Sequence, residues 1–288
     1  MNLLILGANG MLGKSFEKIQ GQFLQHKFFF KSKKTLDILN TAQVKLFIQE
    51  QAIDILINCA AYTNVNETIE NLNLANEVNG MAVGKLAALA SSLNVKMIHF
   101  STDYVFDGNT NIPYKETAAT NPVNDYGKTK LLGEILMNKA NPKNSLIIRT
   151  SWLYDAHGAN FTTKMLDLAR NKKQLSVVND QYGSPTYATD LALTTLNILP
   201  SIDSKGVETY HFSNKGICTW FDYATKIMEI NKSSCKVKPV SSDEFPSKVT
   251  RPKWSVLDTS LIQKKFNFEI PYWETSLNVC ILNNLLKN

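Results

Sequence analysis

Asn2-Leu3-Leu4-Ile5-Leu6, followed by Gly7-Ala8-Asn9-Gly10-Met11-Leu12-Gly13, reads as a buried strand that breaks into a tight turn and then opens a helix. The glycines are spaced G-x-x-G-x-x-G, and strand, turn and helix in that order are the context a dinucleotide-binding fingerprint requires. Gly7 permits the turn, Gly10 lets backbone amides approach a pyrophosphate, and Gly13 brings helix and strand close together. A turn with no ligand is the alternative reading of such a motif on its own.

Outward from this turn, the first 150 residues or so alternate short apolar runs with longer amphipathic segments. Runs at 2–6, 28–30, 54–58, 95–101 and 145–149 are continuously apolar, as expected for strands covered by helices on both faces. Helices are expected near 11–21, 41–51, 67–93 and 125–140, and right-handed crossovers then give an α/β, doubly wound parallel sheet of Rossmann type. Beyond Arg149 we expect a helix at 159–171, a strand at 175–178, a helix at 188–199 and a strand at 208–212. Thr219-Trp220-Phe221-Asp222 is a capping-box sequence opening a helix to about 229, and a last helix is expected over 273–287. The domain reading is a dinucleotide-binding domain over 1–154, to which about 174–200 returns, and a smaller α/β lobe made mainly from 155–288.

The chain has 288 residues, 44% hydrophobic and 19% charged, which excludes a disordered, collagen-like or coiled-coil protein. No apolar run reaches the roughly 18 residues of a membrane span, and Met1 leads into a strand with no signal-like segment, so we expect a cytoplasmic protein that engages no membrane. The net charge is +6, but the basic residues are scattered, so nucleic acid is not expected as a partner. Lys31-Ser32-Lys33-Lys34 is the one tight basic cluster, small enough to serve a single phosphate. It stands where many dinucleotide folds place an acidic residue against the adenosine ribose, so Lys31 and Lys33 favour NADPH, with NADH as the alternative and a solvated turn as the bland one. Cys59, Cys218, Cys235 and Cys280 lie far apart, with no spacing that makes a metal site.

Tyr126 and Lys130 form Tyr-x-x-x-Lys, which on a helix puts phenol and ammonium on one face, where the cation stabilises phenolate and brings the tyrosine towards acid/base work. Ser101-Thr102-Asp103-Tyr104 ends the strand predicted over 95–101, on the carboxyl edge where doubly wound folds bind ligands. Trp152 ends the next strand on that edge, so Asp103, Tyr104 and Trp152 can line one pocket; ordinary core packing is the alternative for Trp152. His99, within an apolar strand, reads as a satisfied core histidine rather than a base.

Glycine turn, strand-end hydroxyl and Tyr-x-x-x-Lys, in this order, resemble an extended short-chain dehydrogenase/reductase, and nearly the whole chain is similar to the dTDP-4-dehydrorhamnose reductase family. The segments that carry the resemblance are 58–63, 101–106, 126–130, 149–154, 178–186 and 251–255. The resemblance implies catalytic roles for Thr102, Tyr126 and Lys130. It implies cofactor contacts from Gly7, Asn9, Gly10, Met11, Leu12, Gly13, Lys31, Lys33, Asp37, Ile38, Ala60, Ala61, Tyr62, Tyr126 and Lys130, and substrate contacts from Thr63, Val65, Thr102, Asp103, Tyr104 and Trp152. The implied reaction is NADPH-dependent reduction of the C4 ketone of a dTDP-4-dehydro-6-deoxy-L-hexose, giving dTDP-L-rhamnose or a close epimer for cell-surface polysaccharide. The nucleotide sugar would be the partner, and a homodimer is left open. Tyr126 would give the proton, Thr102 would hydrogen-bond the carbonyl oxygen, and Lys130 would hold the nicotinamide ribose and depress the phenol pKa. Asn66 and Thr68 depart from the family's usual aspartate and alanine beside the substrate cleft. Some relatives use Mg2+ in dimerisation, but no ligand set maps onto this chain. The alternatives are a sugar-nucleotide epimerase or dehydratase of the same fold, and a non-catalytic subunit of the kind that binds methionine adenosyltransferase.

Overall fold

The computed structural model describes residues 1–245 and 247–282. Its first half is β1 (Asn2–Leu6), α1 (Met11–Ile19), β2 (Lys27–Lys31), α2 (Thr41–Glu50), β3 (Ile55–Asn58), α3 (Leu72–Ala75), α4 (Ala82–Leu93), β4 (Lys96–Thr102), α5 (Asp125–Ala140) and β5 (Ser145–Thr150). The second half is β6 (Leu153–Tyr154), α6 (Phe161–Asn171), β7 (Gln174–Val178), β8 (Tyr182–Gly183), β9 (Thr186–Tyr187), α7 (Ala188–Ile198), β10 (Val207–Phe212), β11 (Cys218–Thr219), α8 (Trp220–Ile230), β12 (Lys236–Val240), α9 (Ser260–Phe266) and α10 (Trp273–Cys280).

A six-stranded sheet in the order β10-β5-β4-β3-β1-β2, parallel throughout, is the doubly wound architecture expected. Both its faces are covered, which is why β1, β3, β4 and β5 carry continuous apolar runs rather than alternating ones. Leu3, Ile5, Ile57, Ile98 and Ile148 pack with Leu12 and Phe16 of α1 and Leu191 and Leu196 of α7. On the other face Leu4, Leu56, Met97 and Ile147 meet Val44 of α2, Leu86 of α4 and Met137 of α5. A second core, including Tyr154, Leu175, Tyr223, Ile227, Trp273 and Leu277, holds the smaller lobe together. The capping box is present, with Thr219 and Asp222 each accepting from the other's backbone N–H.

Several expected elements differ. The helix expected over 67–93 is interrupted: a 3-10 turn at Val65–Glu67, then α3, one π-helical turn at Asn76–Met81, then α4. The wide turn sets Asn79 inward, where its amide bonds two other segments, a use typical of π-bulges at functional sites. The strand expected at 208–212 is β10, which joins the large sheet beside β5 because Tyr210 and Phe212 enter the same core as Ile148. Of the 174–200 stretch, α7 packs against α1, whereas β7 pairs with β12 in the smaller lobe. Of the helix expected over 273–287, α10 covers Trp273–Cys280, and 283–287 lie outside the described residues. Among the described residues no helix is long and apolar enough to cross a membrane.

Candidate active site

Gly7 has φ +77°, and a Cβ there would stand 2.5 Å from Ala60 N, so β1 and β3 approach as only glycine allows. Gly13 is equally obligatory, since its Cβ would lie 2.5 Å from Gly7 O. Gly10 differs: it is exposed and caps α1 without a side-chain bond, leaving the first N–H groups of a nine-residue helix open towards an anion. Asn9 is exposed beside it and Met11 half-buried, while Leu12 faces the core and leaves its backbone to the turn. Ala8 N donates to Lys31 O at 3.0 Å, which brings the end of β2 to the turn. The Lys31 ammonium lies 4.6 Å over the Phe47 ring, and Lys33 is exposed. Asp37 accepts from Leu39 N at 3.0 Å, and Ile38 is buried in the core.

Past β3, Asn58 Oδ1 accepts the Ala60 N–H at 3.1 Å, and Ala60, Ala61 and Tyr62 form a half-buried strip. Asn79 Oδ1 accepts from Tyr62 N at 2.8 Å, and its amide nitrogen donates to Tyr62 O at 3.0 Å and Thr129 Oγ1 at 3.1 Å. One buried asparagine therefore ties this strip to α5 directly before Lys130.

Thr102 ends β4 and Tyr126 lies in the first turn of α5, where Asn124 caps the helix by accepting from Gly127 N at 2.9 Å. The Thr102 hydroxyl donates to Asp103 Oδ1 at 2.9 Å and stands within hydrogen-bonding reach of Tyr126. The Tyr104 ring meets Tyr126 edge-on at 5.9 Å. Lys130 is buried, with Nζ 2.6 Å from Phe100 O and 3.4 Å from His99 Nε2. Burial raises the Asp103 carboxyl to about 7 and lowers the Lys130 ammonium to about 8, with Glu134 opposing the latter. The Tyr126 phenol is raised, first by burial and then by the charge of Asp103. This departs from the expected depression by Lys130: burial and Asp103 dominate, and the lysine directs its ammonium to the Phe100 carbonyl.

The smaller lobe closes over this edge. Burial raises the Tyr104 phenol to about 12 against the opposing pull of Arg251, burial likewise outweighs the hydrogen bond of Ser255 at the Asp103 carboxyl, and Arg251 Nη2 donates to Asn66 Oδ1 at 3.3 Å. Asn124 Nδ2 reaches Thr250 O at 3.0 Å. Tyr182 N donates to Lys253 O at 2.8 Å and Ser255 N returns to Tyr182 O at 2.8 Å, so two segments distant in sequence form one wall. Thr63 is exposed and Val65 half-buried on the facing segment. Thr102 and Thr150 are register partners, which puts Trp152 two residues beyond on the same edge. Its indole stacks on Trp220 at 3.6 Å and 8°.

Asn79 is absent from the sequence reading, Asn58, Arg251 and Ser255 stand there only within the segments 58–63 and 251–255, and Trp220 only within the capping-box sequence, none with a site role. The available signals were a polar residue ending the run Ile55-Leu56-Ile57-Asn58, and Asn79-Gly80 inside an otherwise helical pattern. Among the described residues no group of three or more His, Cys, Asp or Glu stands together as a metal site.

A doubly wound sheet with a glycine turn, a strand-end threonine and a Tyr-x-x-x-Lys helix defines an NAD(P)H-dependent oxidoreductase of the short-chain dehydrogenase/reductase class. A family model described as RmlD substrate binding domain matches residues 1–285, and the chain belongs to that family. It is 37% identical over 262 residues to the spore coat polysaccharide biosynthesis protein SpsK of Bacillus subtilis, covering 91% of this chain and 90% of that one. A dTDP-4-dehydrorhamnose reductase structure from Clostridium acetobutylicum matches with TM-score 0.93 and 38% identity over 100% of both chains. A dTDP-4-dehydrorhamnose reductase from Bacillus anthracis in complex with NADP matches with TM-score 0.90 and 34% identity, over 100% of this chain and 99% of that one.

Proposed function

We propose that the protein reduces the C4 ketone of dTDP-4-dehydro-L-rhamnose with NADPH, giving dTDP-L-rhamnose for polysaccharide synthesis. The observation that carries this reading is the meeting of Thr102, Tyr126 and Lys130 on the carboxyl edge of the sheet, beyond the glycine turn and beneath the smaller lobe. The relatives named for this reaction, and the NADP complex of one of them, support the choice of substrate and cofactor.

The bare Gly10 turn and the uncapped start of α1 fit a dinucleotide pyrophosphate, and Lys31 and Lys33 would take the 2′-phosphate. Ala60, Ala61 and Tyr62 would border the dinucleotide, and Lys130 would hold the nicotinamide ribose. When bound, NADPH supplies the hydride. Tyr126 gives its phenolic proton to the C4 oxygen as charge develops there, and its raised pKa makes it a proton holder in the resting site. The Thr102 hydroxyl turns from Asp103 to the carbonyl oxygen and orients it. Asp103, Tyr104, Trp152, Thr63 and Val65 border the sugar.

The deciding assay supplies NADPH with dTDP-4-dehydro-6-deoxy-D-glucose and a 3,5-epimerase, and identifies the sugar nucleotide formed. Epimerase-dependent NADPH oxidation yielding dTDP-L-rhamnose is expected. Turnover without the epimerase, or a different C4 epimer, would replace the substrate in this reading; no oxidation would overturn it.

A further inference from the structure

Behind Lys130 runs a line of buried polar groups that the reaction above leaves unused. His99 on β4 is fully buried; its Nε2 lies 3.4 Å from Lys130 Nζ and its Nδ1 lies 3.3 Å from Asn58 Nδ2. Asn58 Oδ1 is engaged by the Ala60 N–H at 3.1 Å. A backbone N–H only donates, so the Asn58 atom facing Ala60 is its oxygen, and the atom left for His99 is the amide nitrogen, which also only donates. The ring must therefore accept at Nδ1. Burial first, and then the neighbouring Lys130 charge, keep the ring neutral, and a neutral imidazole that accepts at Nδ1 carries its hydrogen on Nε2. His99 thus points an N–H, not a lone pair, at Lys130. A free amine has a lone pair to receive it, whereas an ammonium has none.

We propose that His99 is a positioning residue for Lys130: fixed as the Nε2–H tautomer by the Ala60–Asn58 chain, it favours the free amine and so sets the pH below which Lys130 carries its charge. The proposal deepens the reading of Lys130 given above and rests on it for its kinetic consequence. The other groups around the lysine are these. On α5, Tyr126 lies one turn before it and Glu134 one turn after. Glu134 favours the charge, but Arg149 of β5 already engages it at 2.7 to 3.2 Å and in turn reaches His211 of β10 at 3.4 Å. At the end of β4, Phe100 O accepts from Nζ, and Asp103 stands beyond Tyr126. At the end of β3, burial holds the Cys59 thiol neutral. Burial is the first influence against the ammonium and Glu134 the one that favours it; among the described side chains in contact with Nζ, His99 is the one whose N–H adds to the effect of burial.

Two measurements test this on the full-length protein. In the first, the chain is labelled with nitrogen-15 in its four histidine rings, and the His99 ring is assigned through its couplings to the backbone. An unprotonated Nδ1 and a protonated Nε2 are expected on either side of neutral pH; a hydrogen on Nδ1 overturns the proposal whatever the enzyme does with nucleotide sugars. In the second, the pH profile of kcat/KM is compared between the natural enzyme and His99→Gln, whose carbonyl oxygen can turn to the ammonium. The alkaline limb should move up by about one pH unit. His99→Leu, which removes the N–H but supplies no acceptor, should move the limb up by less than His99→Gln does. An unmoved limb in His99→Gln, or a rise in His99→Leu as large as or larger than in His99→Gln, overturns the proposal. If the natural enzyme turns over no keto sugar, the functional reading fails, and the ring measurement still decides the tautomer.

Discussion

Thr102 and Asp103 are neighbours in sequence and partners in space: the hydroxyl donates to Oδ1 at 2.9 Å, while Oδ2 is buried with no hydrogen-bond partner at proper geometry among the described residues. A carboxyl satisfied on one oxygen and buried at 2% exposure is costly to ionise, and burial accordingly lifts it to about 7. The arrangement leaves Oδ2 waiting at the edge where the sugar is proposed to lie, a donor while the carboxyl is neutral and an acceptor once it ionises.

That lift makes stability depend on pH. An acid whose folded pKa, about 7, exceeds its unfolded value of 3.8 holds its proton more tightly when folded. Its contribution is intact below about pH 4 and is lost as pH rises towards 7, by an upper bound of about 4 kcal/mol. Asp103→Asn, which cannot ionise, should remove this component. Urea unfolding at about pH 5 and pH 8 should show the natural protein losing stability relative to Asp103→Asn. Parallel behaviour of the two would mean that Asp103 is not held protonated.

Tyr126→Phe removes one hydroxyl and leaves the edge-on contact with Tyr104. The variant should fold and bind NADPH normally, and reduction should fall by about two to four orders of magnitude, the worth of a positioned proton donor. Stopped-flow turnover with calorimetric cofactor titration separates the two effects. Near-normal turnover would remove Tyr126 from the proposed mechanism.

Replacing Lys31 and Lys33 with alanine should weaken NADPH by more than NADH, since only the former carries the additional phosphate. Because the Lys31 ammonium also rests over Phe47, Lys31→Ala should cost a little stability, about 0.5–1 kcal/mol for an exposed cation–π contact, while Lys33→Ala should cost none. Titrations with both cofactors check the first expectation and thermal unfolding the second. An equal loss of affinity for both cofactors would make these lysines a solvated turn.

How much of this was legible follows from what each feature writes into the chain. A strand covered on both faces carries an unbroken apolar run, so β1, β3, β4 and β5 are visible, and Gly7 and Gly13 announce a close approach that no side chain survives. Thr102, Tyr126 and Lys130 keep characteristic spacings. The wiring behind them leaves no periodic trace: Asn79 reaches partners 17 and 50 positions away, and an isolated asparagine in a helix looks the same whether it faces water or the core. The two-residue strands β6, β8, β9 and β11 are too short to alternate. They form because distant segments meet, which local sequence does not record.

Trp152 has φ +47°, a left-handed backbone that a bulky residue adopts at a cost of about 1–3 kcal/mol. The surroundings hold it there: the indole stacks on Trp220 and lies over Gly183, where an added Cβ would stand 2.4 Å from the ring. If this indole covers the apolar face of the deoxysugar, its placement matters as much as its presence. Gly183→Ala keeps Trp152 but forces the ring to move, so KM for the keto sugar should rise by about 10- to 200-fold, the value of one apolar pocket contact. NADPH affinity should stay the same, because neither residue belongs to the glycine turn. Trp152→Ala should raise KM in the same direction. Steady-state kinetics on both variants, with NADPH titrations, are the check. A folded Gly183→Ala enzyme with unchanged KM would confine the Trp152–Trp220 stack to the core of the smaller lobe, and the sugar pocket would then have to be built from Tyr104 and the segment Arg251–Ser255 that closes over it.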